Sequence, residues 1–199
     1  MPKPSVELER REQILTATCK VLVSRGLNQL RIADVAEEAN LSSGIVHYYF
    51  SGKDDLIHRT FEQSFEESLR RRERIFESTL PPAERLVALI DSYIPRDPET
   101  IQAWHVWLQL WAGALKDPSL RVINEKAYSK WRNLIANVIL EAHKDGALHS
   151  EDPEGAADQL VALIDGLAVQ VLLDSSTINA DAMADICRQF LKETLSYQQ

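Results

Sequence analysis

Residues 156–173, AADQLVALIDGLAVQVLL, are apolar around most of a helical circumference. A helix on the surface of a monomer carries one apolar stripe, so this segment must be covered on two sides. Gly166 within it permits close approach of another helix, and amphipathic segments at 119–144 and 179–196 can supply neighbours. A single chain can enclose such a helix; a second copy of the chain in a dimer can also cover it.

The remaining long segments follow the same helical period, and no alternating run rich in valine or threonine lies between turn signals. The expected fold class is all-α. Helices are predicted over residues 10–25, 32–39, 43–50, 53 through the run FEQSFEESLRRRERIF, 83–94, 98–115, 119–144, 154–174 and 179–196. Pro81 and Pro82, Pro95 and Pro98, Asp117 and Pro118, Asp145 and Gly146, and the stretch 174–177 interrupt them. This spacing predicts an N-terminal head at residues 1–56, a linking helix to residue 79, and a larger helical body at 80–199.

The net charge of −8 at first argues against a polyanionic partner. Residues 1–60, however, hold eight Lys/Arg and eight Asp/Glu, so the acidic excess belongs to residues 61–199 and says little about the head. No apolar run approaches the eighteen or more residues that a membrane span requires, and MPKPSVELERREQ lacks the apolar core of a secretory signal. A soluble, cytoplasmic protein with no membrane partner is expected. Cys19 and Cys187 lie in separate helical patterns without metal-ligand spacing, and are read as buried thiols. No HExxH, phosphate-binding glycine loop or GxSxG is present, and His143, Asp145, His149 and Glu151 surround a glycine turn without firm ligand spacing. No catalytic role, metal or cofactor is expected.

The head carries the most specific signal. The first helix has a stripe of Ile14, Leu15, Thr18, Val21 and Leu22, with Gly26 placed to close it in the left-handed conformation. The second buries Ile32, Val35, Ala36 and Ala39. Asn40 tolerates positive φ, Leu41 points inward, and Ser42 caps the third helix. That helix buries Val46, Tyr49 and Phe50, leaving Ser43, Gly44, His47 and Tyr48 outward. Two short helices joined by a tight turn match the helix-turn-helix arrangement, whose second helix enters the DNA major groove. Ser43 and His47 can hydrogen-bond base edges, Gly44 lets the backbone approach, and Tyr48, Tyr49 and Lys53 can reach phosphates. An ordinary amphipathic helix pair, in an adaptor without DNA-binding activity, is the alternative on these grounds alone.

The stretch ILTATCKVLVSRGLNQLRIADVAEEANLSSGIVHYYFSGKDDL, residues 14–56, closely resembles the DNA-binding head of TetR-family transcriptional repressors. The resemblance implies a homodimer that binds a pseudo-palindromic double-stranded DNA operator and is released by a small-molecule effector. By motif it places Ser42, Ser43, Gly44, His47, Tyr48, Tyr49 and Lys53 on DNA-facing positions, and Ala33 on a base-contacting position of the second helix. Arg31 stands where the family usually has Ser or Thr, which removes the expected cap of the second helix and offers a phosphate contact instead. His47 replaces the family's frequent tyrosine. Arg10 and Arg11 resemble its basic arm, although a solvated helix start explains them equally.

In the body, Trp104, Trp107, Trp111 and Leu115 recur at helical spacing, with Tyr93 upstream and Tyr128 and Trp131 downstream. Plain core is one reading of this stripe. The other is a cage for a flat apolar or aromatic molecule or, through cation–π attraction, a quaternary ammonium. AWHVWLQLWAGALKDPSL and LVALIDGLAVQVLLD resemble, more loosely, the C-terminal domain of the choline-responsive betaine-pathway (BetI-like) repressors. The effector-site candidates are therefore Tyr93, Trp104, His105, Trp107, Trp111, Trp131 and Asp165.

Overall fold

The structure, a computed structural model, describes residues 4–196, with side chains from Val6 onward. Among these residues there are nine α-helices and no strand: α1 (Pro4–Arg25), α2 (Ile32–Glu38), α3 (Ser43–Tyr49), α4 (Lys53–Phe76), α5 (Pro82–Asp91), α6 (Pro98–Ala114), α7 (Pro118–Lys144), α8 (Pro153–Leu172) and α9 (Ala180–Thr194). A short 3-10 turn, Leu27–Gln29, precedes α2.

The all-α expectation holds, with boundary shifts that have local causes. Helices α5, α7 and α8 begin one residue earlier than predicted, each on a proline, whose fixed φ and missing N–H suit the first helical position. Asp152 accepts from Gly155 N at 2.9 Å to cap α8, and the Asn179 side chain caps α9 by accepting from Asp181 N and Ala182 N. Gly26 has φ 77° and ψ 161°. This is a glycine-only conformation at positive φ, but not the left-handed helical one expected, and it redirects the chain into the 3-10 turn.

Packing divides the chain into two compact units that are discontinuous in sequence. The first runs to Ser68 and adds His105–Glu125; the second joins Leu69–Trp104 to the chain from Lys126 onward. The sequence-based division instead groups residues by their order along the chain, with its boundary near residue 80.

In the first unit α1 packs on α2 and α2 on α3. Ile14, Leu22, Val35, Val46, Leu56 and Leu110 are wholly or almost wholly removed from solvent in one continuous core. Thr18 and Thr60 lie in it because their hydroxyls donate back to Ile14 O (2.8 Å) and Leu56 O (2.7 Å). The turn between α2 and α3 is fixed by Asn40 at φ 54° and by Leu41 N donating to Ala36 O at 2.8 Å.

In the second unit α9 packs on α8 and α5. Leu86, Leu89, Ile135, Ile139, Leu160, Ile164 and Cys187 form its interior. Contrary to the sequence reading, α8 contains an 18-residue window of mean hydropathy 1.4, long and apolar enough to cross a membrane by length and composition. Seven of its residues, from Ala156 to Ala168, are nevertheless buried inside this unit.

Candidate functional site

The head presents α3 on a rigid base. Val46 and Phe50, 0% and 1% exposed, anchor its inner side. Ser42 starts the helix, its hydroxyl accepting from Ile45 N at 3.3 Å, and Phe50 ends it in extended backbone. Gly44, His47 and Tyr48 are exposed, Tyr48 at 70%, and Ser43 is half-buried. Tyr49 packs partly against the core and meets the Tyr48 ring edge-on at 5.1 Å, which limits the freedom of the exposed phenol. Ile45 is 39% exposed on the same helix. Sequence reasoning missed it, because an isoleucine between two motif positions reads as core; exposed there, it can touch a thymine methyl.

Lys53 opens α4 after a three-residue link from α3. The carboxylate of Asp55 accepts from Ser51 N at 3.0 Å, and this bond holds its pKa below the ordinary aspartate value. Arg31 occupies the cap position of α2 in extended backbone and makes no side-chain cap, as its identity foretold. Asp34 in the first turn of α2 complements the helix dipole instead and binds Arg25 at 2.7 Å. Arg25, Asn28, Gln29, Arg31 and Lys53 edge a groove of about 770 Å³. Ala33 is exposed on α2. Three cations and two amides around one concavity suit a phosphate backbone. Arg11 is committed elsewhere, its guanidinium 5.2 Å from the centre of the Phe50 ring, and Arg10 donates to Gln13 Oε1 at 2.7 Å.

Of the effector candidates, Tyr93, Trp104, Trp131 and Asp165 belong to the second unit, and His105, Trp107 and Trp111 to the first. Trp107 packs against the first unit's core and meets Phe65 edge-on at 6.0 Å, the plain-core reading for that residue.

In the second unit three aromatics gather. Tyr93 lies 4.4 Å from Trp131, tilted by 44°, and 6.5 Å from Trp104, nearly perpendicular to it. Trp104 Nε1 donates to Tyr93 O at 2.8 Å, so the buried indole both packs and holds the tyrosine backbone. On α7, one turn before Trp131, Tyr128 donates its hydroxyl to Asp165 Oδ2. Burial pushes the Asp165 carboxyl up to about 6, partly offset by that hydrogen bond. Burial and the adjacent carboxylate push the Tyr128 phenol well above its usual value.

Sequence reasoning did not single out Arg72, which belongs to this cluster. Only 3% exposed, it lays its guanidinium 3.3 Å from the centre of the Tyr93 ring and donates to Ser92 Oγ and Ser92 O, both at 2.8 Å. Burial lowers its pKa from the ordinary arginine value, but a guanidinium stays charged at neutral pH.

Among the described residues no group of three or more His, Cys, Asp or Glu is placed to hold a metal ion. His143 and His149 have ring centres 5.4 Å apart, with His143 Nδ1 accepting from Ser150 N at 3.3 Å. Burial pushes the thiols of half-buried Cys19 and buried Cys187 up to about 12 and 11, away from reactivity at neutral pH.

Comparison with known proteins agrees with this division of labour. Residues 14–60 match the family described as bacterial regulatory proteins, tetR family, and residues 82–196 match the BetI-type transcriptional repressor, C-terminal family. The chain is 31% identical over 193 residues to the HTH-type transcriptional regulator PksA of Bacillus subtilis (strain 168), covering 96% of this chain and 93% of that one. It is 27% identical to the HTH-type transcriptional regulator BetI of Escherichia coli O17:K52:H18, covering 98% of each. A transcriptional regulator from Saccharomonospora viridis, solved in complex with choline, is similar in fold with a TM-score of 0.87 at 29% identity, over 94% of this chain and 97% of that one. The chain belongs to the tetR family of bacterial regulatory proteins: it is a helix-turn-helix, DNA-binding transcriptional regulator, not an enzyme, with a C-terminal domain of the BetI type.

Proposed function

We propose that the chain acts as a homodimeric repressor whose two α3 helices read the half-sites of a pseudo-palindromic operator in successive major grooves. The observation that carries this is the polar, exposed face of α3 held on the buried Val46 and Phe50. His47, Ser43 and Ile45 read bases, and the backbone at Gly44 approaches them. Tyr48, Tyr49, Ser42, Arg31 and Lys53 position the head on phosphates, while Ala33 faces a base from α2. Residues 1–56 with the linking segment to about 79 serve as head and link, and 80–199 as the sensing and dimerising body. Acting on operator DNA is a cytoplasmic role.

The effector we infer is a quaternary ammonium of the choline class. The three aromatic rings of Tyr93, Trp104 and Trp131, with a carboxyl at Asp165 in the same unit, supply the π faces and negative charge that attract such a cation. The choline-bound regulator of similar fold supports this choice. Ligand binding favours a head spacing that no longer fits half-sites roughly one helical turn apart.

The test is selection of random duplex DNA by the purified protein, sequenced and repeated with His47→Ala. An inverted repeat that changes with His47 is expected. No enrichment at low or high salt would overturn the DNA-reading assignment.

A further inference from the structure

Tyr93 already has a cation. The Arg72 guanidinium lies 3.3 Å from the centre of its ring, and Trp131 and Trp104 take up other parts of the ring's surroundings. Arginine stacks flat on an aromatic ring and satisfies the same electrostatic preference that a quaternary ammonium would. Two hydrogen bonds to Ser92, one through the hydroxyl and one through the carbonyl, hold the guanidinium in place. It is as deeply buried as the core, so an incoming cation meets its charge with little water between them.

Resting on the quaternary-ammonium reading above, we propose that Arg72 is a built-in competitor of the effector: a cation gains the Tyr93 face only by displacing the arginine. The aromatic cluster therefore excludes weakly bound cations and sets the effector concentration at which the regulator responds. A pocket lined by aromatics alone would bind the same ammonium more tightly. The Arg72 side chain is thus a specificity-determining element of the sensing unit, and Ser92 is the catch that retains it. An uncharged ligand of the same shape has no quarrel with the arginine's charge, which separates competition from simple crowding.

The experiment titrates wild type, Arg72→Met and Ser92→Ala with choline and with dimethylbutanol, its uncharged carbon analogue, by calorimetry, after thermal melts establish that each variant is folded. Arg72→Met is expected to bind choline about tenfold tighter and the uncharged analogue unchanged. Ser92→Ala, which keeps the charge but loosens its hold, is expected to tighten choline by about threefold and stands alone as the test should Arg72→Met not fold. Choline binding in wild type with no gain in the folded variants would overturn the competitor role while leaving the effector reading intact. Equal shifts for both ligands would overturn it too, by assigning Arg72 a purely structural part. Choline ignored by wild type and variants alike would remove the effector reading and this inference with it, whereas choline bound only by the variants would support it in its strongest form.

Discussion

The Tyr128 hydroxyl donates to Asp165 on the facing helix α8, yet the Asp165 carboxyl still has its pKa raised to about 6, because burial outweighs the bond. The folded chain therefore holds a proton there that the unfolded chain, with an ordinary value of 3.8, has already released. Stability from this group is fully present below the unfolded value and is lost as pH rises towards 6, a penalty of up to roughly 3 kcal/mol at neutral pH. Asp165→Asn removes the titration. Thermal melts at pH 4.5 and 7.5 are expected to show the wild type falling relative to the variant as pH rises; parallel pH profiles would contradict the assignment.

On the effector reading proposed above, the same carboxyl would set a pH dependence on sensing. A cation bound against Asp165 requires the ionised form, so choline affinity is expected to rise about tenfold between pH 5 and 7 in wild type. In Asp165→Asn it should stay flat. Titrations at the two pH values decide, and a flat wild-type profile would separate Asp165 from the effector.

In the head, the residues proposed to face DNA divide into readers and anchors. Lys53→Ala and Tyr48→Ala are expected to weaken binding to every DNA sequence, and Lys53→Ala to lower the slope of log affinity against log salt by about 1. His47→Ala should change which base is preferred, with a discrimination loss of about 1–3 kcal/mol. Fluorescence anisotropy on operator and scrambled duplexes separates the two classes. Unchanged operator affinity in all three variants would remove the site assignment.

How far these sites were legible depended on whether their causes were local. Asn40, Ser42 and the helix-starting prolines announce themselves, because the backbone angle or cap each supplies is determined within a few residues. The 3-10 turn at Leu27 did not, because Leu27 N donates to Gln109 Oε1, 82 residues away in the chain. Periodicity revealed the tryptophan stripe on α6 but not that Trp104 and Trp107 join different cores, since a helical period fixes a face and not its neighbour. Arg72, inside the run RRRER, read as solvated charge. Ser92 and Tyr93 make it an interior residue, and nothing in its own neighbourhood of the sequence says so.

Gly26 offers a stability test that leaves every candidate contact intact. At φ 77° and ψ 161° a Cβ is strained whatever the space around it. Gly26→Ala is expected to lower the stability of the head by about 1–3 kcal/mol. Chemical denaturation read by circular dichroism measures it, and a stabilised variant would show that the chain reaches α2 by another backbone route.

Gly166 tests the dimer. It lies exposed in the middle of α8, and a Cβ built there meets nothing within 4 Å in its own chain. Helical glycine costs about 1 kcal/mol relative to alanine, so folding of one chain alone gives no reason for glycine here. Close approach of a second copy does give one, because small residues let helix backbones come together across a two-fold axis. Ala162, one turn earlier, is exposed as well and extends the small-residue face. Gly166→Arg places a charged side chain in that contact without burying it in the single chain. The variant is expected to remain helical, to sediment as a monomer, and to lose most of its operator affinity, because one head cannot span two half-sites. A dimer of unchanged affinity would move the two-fold contact away from this face of α8.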